Sequence, residues 1–302
     1  MFNERSQRAV ANGRGFFVRQ FAENPTYSDF RYVSNGLFGA VYRGHDRAGR
    51  VVAAKVSLEA CNSSRRGFQS EIDLLIKCTH PDIVKIFYYE LSGFQRFYLM
   101  EFAEGGNLEE RFRAGRASEG CTRHIFKQVV AALSYIHRLN VVHFDVKPAN
   151  ILLMTTDELP LAKLTDFGLS FTLIEDSFPL YYQMWPYSSA RDKPKLVAPE
   201  KLIALFYAST TCNAKVDVYD LGLTLLQVSS HLELFSRSAT AEEVWTAKFI
   251  GEGLQSLQRG KSAEFLLFLY SCLEVRPEDR PSADQLLLHS WFGDGVGDGV
   301  TG

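Results

Sequence analysis

The run Val142-His143-Phe144-Asp145-Val146-Lys147-Pro148-Ala149-Asn150-Ile151-Leu152-Leu153 sets a carboxylate, a cation two residues on and a carboxamide five residues on in one loop. Proline marks that loop, and it lies between an apolar helix and an apolar strand, so it can aim all three groups into one cleft. Further along, Lys163-Leu164-Thr165-Asp166-Phe167-Gly168 places a second carboxylate at the end of a short strand, where it suits a magnesium ligand. Upstream, Gly36 and Gly39 lie in Ser34-Asn35-Gly36-Leu37-Phe38-Gly39-Ala40-Val41, at a strand turn where missing side chains let backbone amides approach a phosphate. Lys55 is a lone charge in the strand Val51-Val52-Ala53-Ala54-Lys55-Val56, and an unpaired buried charge is costly. Glu71, in Phe68-Gln69-Ser70-Glu71-Ile72, offers the counter-charge. Phosphoryl transfer requires phosphates held by backbone donors, cations on their oxygens, carboxylates for a metal, and a carboxylate near the incoming hydroxyl. Taken singly, each signal has a plainer reading: a hairpin glycine pair, a snorkelling edge lysine beside an exposed glutamate, an Asp-Phe-Gly turn. Their order along the chain favours the chemistry.

The elements that must position these residues fall into two textures. From Phe30 to Val56, short β-rich runs (Phe30–Val33, Ala40–Arg43, Val51–Val56) alternate with glycines and a turn at Asp46–Gly49, which predicts an antiparallel meander. Between Arg66 and Cys78, the residues Phe68, Ile72, Leu75 and Ile76 recur at the spacing of one helix face. Strand-like runs resume at Ile83–Tyr89 and Arg96–Phe102, and Glu104-Gly105-Gly106-Asn107 reads as a connector. Beyond it the pattern is helical, with Ile125, Val129, Leu133 and Ile136 in register and long apolar runs at Val216–Ser229 and Ala263–Leu273. The expected organisation is a polar, flexible extension over residues 1–26, a domain over 27–292 and a Gly/Asp tail over 293–302. Within the domain, a β-rich lobe spans about 27–102 and a mainly α lobe about 107–292. The fold class is α+β: a small antiparallel β-rich N-lobe with one key helix, and a larger helical C-lobe.

Composition narrows the alternatives. The 302 residues are 46% hydrophobic and 23% charged, as in ordinary globular proteins. Lys+Arg 33 against Asp+Glu 35 gives a formal charge of −2, so no whole-protein electrostatic case for nucleic acid or anionic membrane exists. No segment reaches the roughly 18 uncharged apolar residues of a membrane span. The five cysteines (61, 78, 121, 212 and 272) are odd in number, without any CxxC pair, and fit reduced thiols in a cytoplasmic or nuclear setting. The Arg-bearing N-terminus lacks the apolar stretch of a secretory signal; it reads as a basic arm, with an organelle presequence as the lesser alternative.

With these residues in hand, the sequence resembles the eukaryotic protein kinase superfamily over about Phe30 to Phe292. The resemblance implies ATP and Mg2+ as cofactors and a protein hydroxyl as acceptor. It assigns Ser34, Gly36, Gly39 and Val41 to the glycine-rich loop, Lys55 to the α- and β-phosphates, and Glu71 to the helix partner of Lys55. Asp145 matches the catalytic base, Lys147 the cation near the γ-phosphate, and Asn150 and Asp166 the metal ligands. Met100 matches the residue guarding the back of the adenine pocket, the backbones of Glu101 and Ala103 the adenine edge, and Val41, Ala53 and Leu152 the apolar sandwich around the ring. Ala198-Pro199-Glu200 matches the close of the activation segment, Asp217 the buried anchor of the catalytic loop, and Arg280 the partner of Glu200.

Three departures bear on function. Ser34 stands where the first loop glycine is usual. Phe144 replaces the arginine that in relatives precedes the catalytic aspartate and grips a phosphorylated activation segment, so activity independent of such phosphorylation is expected. Lys193 takes the place of a threonine that commonly bonds the catalytic aspartate. Lys147 favours serine/threonine acceptors, although Wee-type kinases share a similar loop and act on tyrosine. The aromatic, hydroxyl-rich stretch Leu169–Val197 can dock a regulatory partner. The reading from another class is a pseudokinase scaffold that binds partners or nucleotide without transfer, motivated by Phe144 and the altered substrate shelf.

Overall fold

The computed structural model describes residues 27–35, 39–57, 62–91, 96–114, 118–173, 198–201, 212–230, 247–257 and 260–293. The chain divides into two compact units, Met1–Glu104 with Asp166–Leu169, and Gly105–Thr165 with Ser170–Gly302.

The first unit is built on five strands: β1 (Tyr27–Asn35), β2 (Gly39–Asp46), β3 (Val51–Ser57), β4 (Ile86–Glu90) and β5 (Phe97–Glu101). They pair in the order β1-β2-β3-β5-β4, so the expected meander holds through β3 and β5 then slots in beside it. Strand alternation sorts the side chains. Ala40, Tyr42, Val52, Ala54, Val56, Phe97 and Leu99 join Phe30 in one buried cluster. The intervening positions Val41, Ala53, Lys55, Tyr98 and Met100 therefore share the opposite face, and the register pairs Val41 with Lys55, Lys55 with Tyr98 and Ala53 with Met100. Helix α1 (Asn62–Lys77) starts four residues before the periodicity suggested. It buries Phe68, Ile72 and Leu75 but exposes Ile76, so that residue belongs to the solvent side. The run at Ile83 also differs: Ile83 and Val84 are buried, but Ile83 N donates to His80 O in a turn, and the strand begins only at Ile86.

The second unit carries α2 (Leu108–Ala114), α3 (Glu119–Arg138), α4 (Lys215–Ser230), α5 (Ala247–Leu257), α6 (Ala263–Cys272) and α7 (Ala283–Leu287), with two small sheets, β6–β9 (Val141–Val142 with Phe171–Thr172) and β7–β8 (Ile151–Leu153 with Ala162–Leu164). Serines set several helix starts: Ser118, Ser262 and Ser282 each accept a backbone N–H of the first turn, satisfying a donor the helix leaves unpaired. Helix α4 is buried along almost its whole length, its two aspartates, Asp217 and Asp220, included. Gly222 permits this, since a Cβ there would lie 2.8 Å from the Cβ of Cys272 on α6. No helix of the described residues is long and apolar enough to cross a membrane.

Candidate active site

In the first unit, three charged side chains meet. Lys55 Nζ donates to Glu71 Oε1 at 2.6 Å and to Asp166 Oδ1 at 2.8 Å. Burial alone would push the lysine down, but the two carboxylates outweigh it and hold the ammonium well above the ordinary lysine range. Glu71 is 1% exposed, and burial raises its carboxyl against the pull of Lys55. Tyr98, which the sequence reading did not single out, donates from its hydroxyl to Glu71 Oε1 at 2.9 Å and packs its ring on Phe68 of α1. Its signal was positional: it faces Lys55 across β3 and β5.

Around this group, Val41, Ala53 and Met100 supply apolar surface on the same sheet face. Gly39 lies at the start of β2, where a Cβ would come within 2.5 Å of Val56 O, so only glycine allows the close approach of β2 to β3. Ser34 is exposed near the end of β1, opposite Val41. Gly36 and Lys193, with most of the expected activation segment (174–197), lie outside the described residues. Glu101 N donates to Lys85 O, and Ala103 follows β5, half-buried.

In the second unit the loop that carries Asp145, Lys147 and Asn150 is suspended from one carboxylate. Asp217, fully buried on α4, accepts from His143 N at 2.8 Å and Phe144 N at 2.7 Å, and meets His137 Nε2 at 2.9 Å. Burial would raise its carboxyl; the bond and charge of His137, with His143 and Lys201, hold it below the usual carboxylate range. His143 Nε2 lies 3.0 Å from Thr165 O, which can only accept, so the ring proton sits on Nε2 and Nδ1 accepts from Asp145 N at 3.3 Å. Asp145 receives Lys147 Nζ at 2.5 Å and Asn150 Nδ2 at 2.9 Å on Oδ2, and its carbonyl takes Asn150 Nδ2 at 2.8 Å. The three residues of the proline loop thus converge as their spacing suggested. Leu152, on β7, bridges Asn107 in the same unit.

Glu200 and Arg280 pair with each other in the second unit. Arg280 Nη1 and Nη2 donate to Glu200 Oε1 and Oε2 at 2.5 and 2.9 Å. Its remaining donors reach Lys215 O, Val275 O and Glu274 O, so all five N–H groups of the buried guanidinium are used.

Magnesium takes hard oxygen donors and is commonly held by one or two carboxylates plus substrate phosphates. Each donor fits by its own chemistry: in the second unit Asn150 spends its amide N–H groups on Asp145, which leaves its oxygen for a cation, and in the first unit Asp166 has a carboxylate. Among the described residues no cluster of three or more His, Cys, Asp or Glu could hold a metal ion.

The sequence profile of the family described as "Protein kinase domain" matches residues 27–292, and the chain belongs to that family. It is similar to serine/threonine-protein kinase ppk11 of Schizosaccharomyces pombe, 30% identical over 89% of this chain and 82% of that protein. It is also similar to serine/threonine-protein kinase dst2 of Dictyostelium discoideum, 28% identical over 85% of this chain, and to serine/threonine-protein kinase 10-A of Xenopus laevis, 29% identical over 90%. The chain spans only 22% and 28% of the lengths of those two. Among solved structures, the Rad53 kinase domain with SCD2 superposes with a TM-score of 0.65 at 26% identity, covering 89% of this chain and 90% of that one.

Proposed function

We propose that this chain transfers the γ-phosphoryl group of ATP to serine or threonine hydroxyls of proteins. The observation that carries this reading is the Lys55 ammonium, kept charged by Glu71 and Asp166 on a sheet face that also presents Val41, Ala53 and Met100. Lys55 binds α- and β-phosphate oxygens, while Ser34, Gly36 and Gly39 cover the phosphates with backbone donors. Val41, Ala53 and Leu152 sandwich the adenine; Met100 closes the back of its pocket, and the Glu101 and Ala103 backbones take its edge. Asp166 and Asn150 would hold magnesium, which would offset phosphate charge. Asp145 orients the acceptor hydroxyl and takes its proton, and Lys147 offsets the charge that develops on the transferred group. The names of the relatives support serine and threonine as acceptors.

We further propose that transfer does not require a phosphorylated activation segment. Phe144 is buried, with its ring edge-on to Phe171 at 5.4 Å, and offers no cation to a phosphate. The test is transfer from labelled ATP to a degenerate peptide library, beside an Asp145→Asn control and after phosphatase treatment. Label on serine or threonine that the control lacks and phosphatase leaves intact is the expected result; unchanged labelling by Asp145→Asn would sink the assignment. The described cysteines are free, buried thiols, which supports a cytoplasmic or nuclear setting for this activity.

A further inference from the structure

Lys201 follows the Ala198-Pro199-Glu200 motif directly, and its side chain is buried. Its ammonium donates to Phe144 O at 2.8 Å, sits 4.3 Å above the Phe144 ring, and is paired with Asp220 on α4. Asp220 lies in the otherwise apolar run Val218-Tyr219-Asp220-Leu221-Gly222, and its Oδ1 has no partner among the described residues. A buried ion pair is weak evidence of stabilisation, because well-packed apolar side chains of similar volume commonly do as well. What apolar residues cannot supply is a donor at the Phe144 carbonyl.

That donor matters because of where Phe144 stands. Its φ of 66° is left-handed, a strained conformation for a bulky side chain. Its N–H is held by Asp217 and its carbonyl by Lys201, so both ends of the residue are pinned. The Phe144 carbonyl and the Asp145 N–H belong to one planar peptide unit. Lys201 fixes one edge of that plane and His143 Nδ1 the other, and the plane sets the direction in which Asp145 leaves the backbone.

We propose that Lys201, with Asp220 as its counter-ion, is a positioning residue for Asp145, holding from within this unit the peptide plane that aims the base. The inference rests on the kinase reading given above. Two features add to it. The cation over the Phe144 ring gives a role to the phenylalanine that replaces the usual arginine. Burial, with the nearby carboxylates of Asp217 and Asp145, pushes Asp220 up to about 7 against the pull of Lys201. Glu200, Cys212 and Tyr219 are the other titratable groups coupled to this cluster. Asp220 therefore takes up a proton as pH falls through about 7, and Lys201 then loses its counter-ion.

The experiment uses the full chain, labelled ATP and the degenerate peptide library, with kcat, the KM for ATP and the unfolding temperature measured from pH 6 to 8. Lys201→Met alone strands a buried carboxylate, so the informative variant is Lys201→Met/Asp220→Ala, which removes both charges. It is expected to unfold near the wild-type temperature and keep its KM for ATP while kcat falls by about ten- to a hundredfold. Asp220→Asn, a mimic of the protonated acid, is expected to lose the inflection near pH 7 and to run at the acid-side rate throughout. A folded double variant with wild-type kcat, or an inflection that survives in Asp220→Asn, overturns the proposal, as does a kcat loss that merely follows a lowered unfolding temperature. Should Asp145→Asn turn over like the wild type, the kinase reading itself has failed; a silent Asp145→Asn beside a fully active double variant removes Lys201 alone.

Discussion

Glu71 on α1 and Asp217 on α4 are both buried carboxylates, at 1% and 0% exposure, yet they hold their protons in opposite ways. Glu71 is raised and Asp217 lowered. The difference lies in their donors. Glu71 shares one lysine with a second carboxylate, Asp166, whose charge raises it further, and a tyrosine hydroxyl adds to the pairing. Asp217 collects two backbone N–H groups and an imidazole. A carboxylate on mobile side-chain charges makes an arrangement that incoming phosphates can re-partner. One that gathers backbone amides fixes a loop, and nothing arriving later needs to displace it.

The comparison can be broken most severely at Asp217. Asp217→Ala leaves two buried amides and His137 without their acceptor, and is expected to lose about 3–5 kcal/mol and all measurable transfer, read by denaturant unfolding and labelled ATP. Arg280→Ala strands the Glu200 carboxylate in the same unit and should cost a similar ~3 kcal/mol or more, checked by the same unfolding curves. Lys55→Met separates the two regions: transfer should drop by about a hundredfold or more while stability changes by only about 1–2 kcal/mol, because Glu71 can neutralise itself by protonation. Tyr98→Phe removes one hydrogen bond to Glu71 and should cost about 1 kcal/mol in thermal unfolding with little change in kcat.

The smallest effects are in pH dependence. Asp217, lowered in the fold, contributes stability that is present above its unfolded value of 3.8 and is lost as pH falls through the folded value. Glu71, raised in the fold, has the opposite sign: its contribution declines as pH rises from its unfolded value of 4.5 through its folded one. Glu71→Gln should therefore flatten a decline in unfolding temperature over that window, whereas Asp217→Asn should flatten the acid-side loss below about 4. An unaltered profile in either variant would remove that group from the account.

Much of this contrast was legible in the sequence because it rests on single residues with strong local context. A lysine in an apolar strand poses a charge problem that must be solved nearby, and the proline loop gathers its three polar groups by spacing, whereas the buried place of Asp217 followed only from the family resemblance. In the structure the problem at Lys55 is solved by the alternation of β3, which turns Lys55 away from the cluster holding Val52, Ala54 and Val56. What escaped was pairwise. Lys201 and Asp220 raise the same problem as Lys55, but they lie on either side of residues with no periodic hint of contact, and each alone passes for a solvated charge. Strand β4 starts later than the run Ile83–Tyr89 suggests, because Ile83 and Val84 are apolar for burial's sake, while Pro81-Asp82 makes a turn before them. Helix α2 went unread because Leu-Glu-Glu-Arg-Phe-Arg-Ala is too short and too charged to display a period.

The bond from Tyr98 has a practical consequence. It gives Glu71 a partner that has no part in handling nucleotide, so the glutamate keeps its seat when Lys55 is gone. In Lys55→Met, α1 should therefore stay docked through Tyr98 and Phe68, so that the variant loses the ammonium without losing the folded first unit.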